Sequence, residues 1–151
     1  MSWKPDITVA AIVADTDRFL IVEEQIRGQR VFNQPAGHVE HGESLLAAVV
    51  RETLEETAWQ FEPEWLVGIY IWRSPESARS TLRFAFTGRV GGHDPSRKLD
   101  RPIIAAHWLR REQLLEPTRI LRTPVVLRCI DDFLAGRRLP LSTINDGVVS
   151  S

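Results

Sequence analysis

The spacing of hydrophobic and polar positions changes several times along the chain, and each change predicts an element. Residues 7–14 form an unbroken run of small and β-branched apolar side chains, followed by the turn signal Asp15-Thr16-Asp17. This reads as a buried strand whose hairpin partner is Phe19-Leu20-Ile21-Val22. Val31-Phe32-Asn33-Gln34 is a short extended piece that stops at Pro35, and Pro35-Ala36-Gly37 reads as a turn. From Glu43 to about Thr57 the pattern becomes helical. Strands resume over residues 65–72 and 81–90, where Leu82, Phe84 and Phe86 alternate with Arg83, Ala85 and Thr87. Residues 91–101, with two Gly, one Pro and several charges, read as a loop. A strand over 103–109 and a helical turn over 111–115 follow, and Pro124 opens a last helix that ends near Leu134, before Gly136. This order predicts an α/β (α+β) layered domain, a mixed sheet with helices packed on it.

The 151 residues fit one domain, residues 1–151, large enough to bury its own core, with no repeat, low-complexity segment or long linker. Nineteen basic residues nearly balance twenty acidic ones, so nothing in the charge calls for nucleic acid or an acidic membrane as a partner. Any bound phosphate must therefore be held by local geometry. A lone cysteine, Cys129, excludes an internal disulfide and a thiolate metal centre; on an apolar late helix it reads as a buried filler. The apolar run at 7–14 is too short to span a bilayer, and the Pro5-Asp6 before it is unlike a secretion signal. The expected location is the cytoplasm.

Chemistry concentrates between Gly37 and Trp59. At ~100° per residue, Glu52, Glu55 and Glu56 fall within roughly 100° of helix surface. Leu46, Ala47, Val50 and Leu54 cluster opposite, predicting that this side packs on a sheet while the glutamates face a cleft. Ala48, one turn above the glutamates, is read as leaving room for a ligand. Like charges at such spacing cost roughly 0.2–0.5 kcal/mol each, and carboxylates near a helix C-terminus oppose its dipole. A solvated acidic face is the ordinary reading of a Glu-Glu run. Divalent cations on that face give it a function, because magnesium takes oxygen ligands and bridges carboxylates to phosphates. The preceding loop favours the second reading. Gly37 permits close backbone approach, Gly42 a tight bend, and Glu43 could fold back on Arg51 as a charge-assisted pair.

Gly37, five residues, Glu43, seven residues and then Arg51-Glu52-Thr53-Leu54-Glu55-Glu56-Thr57-Ala58-Trp59 resemble the Nudix box. Ala58 stands where that signature has its second glycine, and Thr53 at an apolar position. The resemblance implies the Nudix fold, a mixed sheet sandwiched between helices (α/β/α) with the box as loop-helix-loop. It implies metal binding by Glu52, Glu55, Glu56 and the Gly37 carbonyl, with magnesium as cofactor and manganese as its substitute. It also implies that Glu43 orients Arg51 or assists the chemistry. Glu52 is the first candidate for general base, Asp100 a remote second, and the expected reaction is attack of an activated water on phosphorus.

Short collinear segments, among them Asn33-Gln34-Pro35-Ala36-Gly37-His38 and Leu121-Arg122-Thr123-Pro124, resemble one bacterial phosphatase subgroup of that family along nearly the whole chain. That subgroup releases orthophosphate from nucleoside tri- and diphosphates and from a pyrimidine pyrophosphate, a thiamine precursor. The implied partner is thus a small-molecule phosphate ester. A cation near the phosphate tail is expected from Arg83 or Arg27, each of which also reads as an ordinary surface arginine. Phe32, Trp72 and Phe84 are candidate base-stacking residues, and His38 and His41 flank the loop without metal-ligand spacing. Two alternatives stand beside this one: cleavage of nucleoside diphosphate-sugars or dinucleotides, and a Nudix-fold binding domain without catalysis.

Overall fold

The computed structural model describes residues 2–146. Its strands are β1 (Asp6–Ile12), β2 (Ala14–Asp15), β3 (Arg18–Ile26), β4 (Gln29–Asn33), β5 (Ala36–His38), β6 (Gln60–Arg73), β7 (Ser80–Gly91), β8 (Ile103–Arg110) and β9 (Leu139–Pro140). The helices are α1 (Leu45–Thr57), α2 (Arg111–Leu114) and α3 (Val125–Leu134), with a 3-10 turn at Leu141–Thr143. Two sheets form where one mixed sheet was expected. The first has the order β5-β1-β7-β6-β9, and β1 runs parallel to β7 and antiparallel to β5. In the second, β3 pairs with β2 and β4 on one edge and β8 on the other.

Alternation along the strands builds two cores, one on each face. Val9 and Ala11 of β1, Leu20 of β3, Leu66 of β6 and Phe86 of β7 join Leu45, Ala48 and Val49 of α1 in the first. Ile12, Phe19, Ile21, Val67 and Ala85, their neighbours in sequence, point the other way and pack with Cys129 and Ile130 of α3. Strand pattern thus fixes helices on opposite faces, as the layered reading expected.

The buried side of α1 differs from the one expected. Leu45, Ala48, Val49, Thr53, Glu56 and Thr57 are buried, whereas Ala47 is exposed and Leu46, Val50 and Leu54 are half-buried. Small side chains let the helix sit close to the sheet, and the two buried threonines satisfy their hydroxyls within the helix. Thr53 donates to the Val49 carbonyl at 2.8 Å and Thr57 to the Thr53 carbonyl at 2.6 Å. Ala48, fully buried, is a packing residue and leaves no room for a ligand.

Both ends of α1 are pinned. Ser44 caps the start by accepting from Ala47 N–H at 3.1 Å, and Asp146 accepts from Leu45 N–H. Ala58 closes the end in the left-handed region (φ 62°), donating to the Leu54 carbonyl at 2.9 Å. Alanine there makes the bend a glycine would make, at about 1–2 kcal/mol of backbone strain.

Candidate active site

The site assembles where β5 meets α1. Pro35-Ala36-Gly37 was expected as a turn; residues 36–38 form a short strand because Thr8, Val9 and Ala10 of β1 supply a free edge that pairs with them. Each of the three then meets a different side chain from α1. Ala36 N–H donates to Glu56 Oε1 at 2.9 Å. Gly37 abuts Glu52, whose carboxyl fills the space a Cβ on residue 37 would need. The His38 carbonyl accepts from Arg51 Nη2 at 3.1 Å.

Arg51 is the hub of this cluster. It grips Glu43 bidentately, Nε to Oε2 at 2.7 Å and Nη2 to Oε1 at 2.9 Å. Its Nη1 reaches Glu52 Oε1 at 2.8 Å and Glu55 Oε2 at 3.2 Å. The loop from Glu40 to Glu43 turns back through Glu43 N–H on the Glu40 carbonyl, which brings Glu43 to an arginine eight residues later.

Electrostatically the carboxyls divide. The Arg51 bond holds Glu43 below its usual range. Burial pushes Glu52 up against the pull of Arg51, and Glu55 is raised by burial and by the neighbouring charge of Asp100. Glu56 is the extreme case. Burial pushes it up to about 9 despite the Ala36 hydrogen bond, and the charges of Glu24, Glu52 and Asp100 add to the rise.

Asp100, exposed, lies beside this group with its N–H on the Glu55 carbonyl at 3.0 Å and its carboxyl within reach of Glu55. Glu24 was missed by sequence reasoning. It is 5% exposed on β3, and the signal was the pair Glu23-Glu24 closing an apolar strand, which puts a carboxyl on each face. Glu23 turns to Arg30 and His107, whereas Glu24 accepts from Arg122.

The other expected residues make no hydrogen bond to the glutamates of α1 among the described residues. Arg83 is not a surface arginine: it is 7% exposed and donates to Gln34 Oε1 at 2.9 Å and Asn33 Oδ1 at 3.1 Å. β7 buries it because its alternation points position 83 to the face opposite Phe84 and Phe86. Arg27 is exposed at the β3–β4 turn, in the left-handed region at φ 50°. Phe32 is half-buried beneath the Arg119 guanidinium, 5.7 Å from its ring centre. Phe84 packs on the first core, Trp72 is half-buried near the end of β6, and His38 and His41 are exposed. Among the described residues, no three His, Cys, Asp or Glu side chains are already drawn together as a metal-binding set. Arg51 lies on two of the glutamates, Glu52 and Glu55. The oxygen-only donors, the glycine whose missing Cβ leaves the Glu52 carboxyl its place, and a buried acid lacking a cation nonetheless suit a hard divalent ion.

The NUDIX domain model matches residues 4–129. The chain belongs to the Nudix family. It is a Nudix hydrolase acting on phosphoric anhydride bonds, a family that uses divalent metals and small-molecule substrates. Phosphatase NudJ of Escherichia coli (strain K12) is 36% identical over 144 residues, 95% of this chain and 93% of that protein. This is the subgroup that the short collinear segments resemble. A Nudix hydrolase from Nitrosomonas europaea has 45% identity and a TM-score of 0.92, covering 96% of this chain and 100% of that one. The NUDIX domain of Shewanella oneidensis NrtR, solved with ADP ribose, shares the fold at 16% identity and TM-score 0.70, over 88% of each chain. Among the described residues of this Nudix hydrolase, no helix is long and apolar enough to cross a membrane.

Proposed function

We propose that this Nudix hydrolase releases orthophosphate from nucleoside tri- and diphosphates or from a pyrimidine pyrophosphate, using magnesium, with manganese as its substitute. The observation that carries the reading is the buried Glu56, set among like-charged carboxyls and lacking a cationic partner among its described hydrogen bonds. Such a group costs stability by itself and suits a site completed by a cation. Glu52, Glu55, Glu56 and the Gly37 carbonyl would hold the metal. When bound, magnesium neutralises charge developing on phosphate oxygens and lowers the pKa of a coordinated water.

The chain's own groups do the rest. Glu43 fixes Arg51, and Arg51 holds Glu52 and Glu55 in place through one nitrogen. Glu52, against Gly37 and held by Arg51, is the first candidate to take a proton from the attacking water. Asp100 is the second candidate for that role, since it adjoins Glu55 from outside the helix. Similarity to NudJ supports the phosphatase reading, and retention of every box carboxylate speaks against a binding domain without catalysis.

Purified protein with magnesium, assayed against a panel of phosphate anhydrides with product identification, tests the proposal. Orthophosphate from nucleoside tri- and diphosphates or the pyrimidine pyrophosphate is expected. Two phosphomonoesters from a nucleoside diphosphate-sugar would move the assignment to that substrate class. No turnover of any anhydride would leave the binding-domain reading in its place.

A further inference from the structure

Among the described residues, the cluster at β5 and α1 offers no free cation for the phosphate tail: Arg51 is engaged by three carboxylates and a carbonyl. Arg83 is sealed under β4, and Arg119 is spent on the Gln113 carbonyl and Glu116. Arg122, on the segment between α2 and α3, differs. Its Nη1 donates to Glu24 Oε2 at 3.2 Å, and its side chain is 41% exposed while that of Glu24 is 7% exposed. Glu24 pairs with Val31 across β3 and β4, and the chain runs on from there to Ala36, whose N–H holds Glu56. A path therefore runs from Glu56 through Ala36 and along the chain to Phe32 and Arg122, whose guanidinium makes one hydrogen bond among the described residues.

Backbone contacts fix where that guanidinium starts. Arg122 N–H donates to the Phe32 carbonyl at 2.8 Å, and Phe32 N–H to the Ile120 carbonyl at 2.8 Å. Leu121 bridges Phe32, and Thr123 begins the turn into α3. A half-exposed arginine on a clamped backbone, paired to a buried carboxylate, can take phosphate oxygens without reorganising.

We infer that Arg122 anchors the phosphate chain of the substrate, with Glu24 holding the guanidinium in position. The inference rests on the anhydride-hydrolase reading above, and names the cation which that reading needs. Glu24 is a positioning residue, since it acts through Arg122.

The test compares wild type with Arg122→Gln, Arg122→Lys and the double variant Glu24→Gln/Arg122→Gln. Affinity for inorganic pyrophosphate in magnesium buffer is measured by calorimetry, alongside KM, kcat and melting temperature. Arg122→Gln should weaken pyrophosphate binding and raise KM by about 10- to 100-fold, with a smaller change in kcat. Arg122→Lys should fall between, because it keeps the charge and loses the planar fork. It also keeps the test open if the glutamine variant fails to fold. The double variant should stay defective. Restored affinity in that variant would mean that Arg122 only neutralises Glu24, and would overturn the inference. Equal pyrophosphate affinity and KM in wild type and Arg122→Gln would overturn it too, while leaving the hydrolase reading intact. Should wild type hydrolyse nothing, the reading fails, and the pyrophosphate titrations still decide the anchor.

Discussion

Glu56→Gln isolates the cost of the buried acid. The unfolded chain releases this proton near 4.5, whereas the folded, metal-free protein keeps it to about 9. Folding therefore takes up a proton between those values. The contribution to stability is full below about 4.5 and is lost as pH rises toward 9, at about 1.4 kcal/mol per pH unit. From pH 5 to pH 7 the loss is about 2–3 kcal/mol, equivalent to roughly 5–10 °C in melting temperature for a domain of this size. Glutamine keeps an oxygen for the Ala36 N–H and carries no titrating charge, so that part of the slope should vanish. Urea or thermal unfolding in EDTA, run from pH 5 to pH 9, reads it directly. Wild type should lose stability faster than the variant across this window, and magnesium should reduce the difference by replacing the proton. Parallel profiles for the two proteins in EDTA would refute the reasoning.

Three further outcomes are expected. Glu52→Gln should lower turnover by about 10²- to 10⁴-fold, as removal of a catalytic base does, with far-UV circular dichroism unchanged. Gly37→Ala should push the Glu52 carboxyl aside and lower kcat at least about 10-fold, with only a small shift in melting temperature, the added methyl meeting a side chain at the site. Arg83→Leu should cost about 2–4 kcal/mol in urea unfolding, because the Gln34 and Asn33 amide oxygens lose their donor in a buried setting.

Much of this layout could be read from the residues, and the misses share a cause. Periodicity located α1, the long strands and the loop over 91–101 to within a few positions, because each has a sustained pattern. It misjudged which side of α1 is buried, since Leu45 and Val49 share that side with Ala48, Thr53, Thr57 and a glutamate. Hydrophobicity does not mark a face that packs through small side chains and internally bonded hydroxyls. β5 is three residues long and owes its existence to a distant edge, which no local pattern reports. The Glu43–Arg51 contact was suggested by spacing, whereas Glu24 and Arg122 meet across 98 residues and depend on how β3 and the α2–α3 segment are brought together.

Residues 36, 37 and 38 each meet a different residue of one helix, and this sets what drift can change in the stretch that links them. The side chains of Glu40 and His41 are exposed, Glu40 holding only a long 3.8 Å ion pair to Arg51, and can vary. Removing one residue there is another matter, because it would slide the short strand against the helix and misalign three partners together. In this stretch, positions 40 and 41 should tolerate exchange but not loss, whereas Gly42, at φ 79°, and Glu43, on Arg51, tolerate neither.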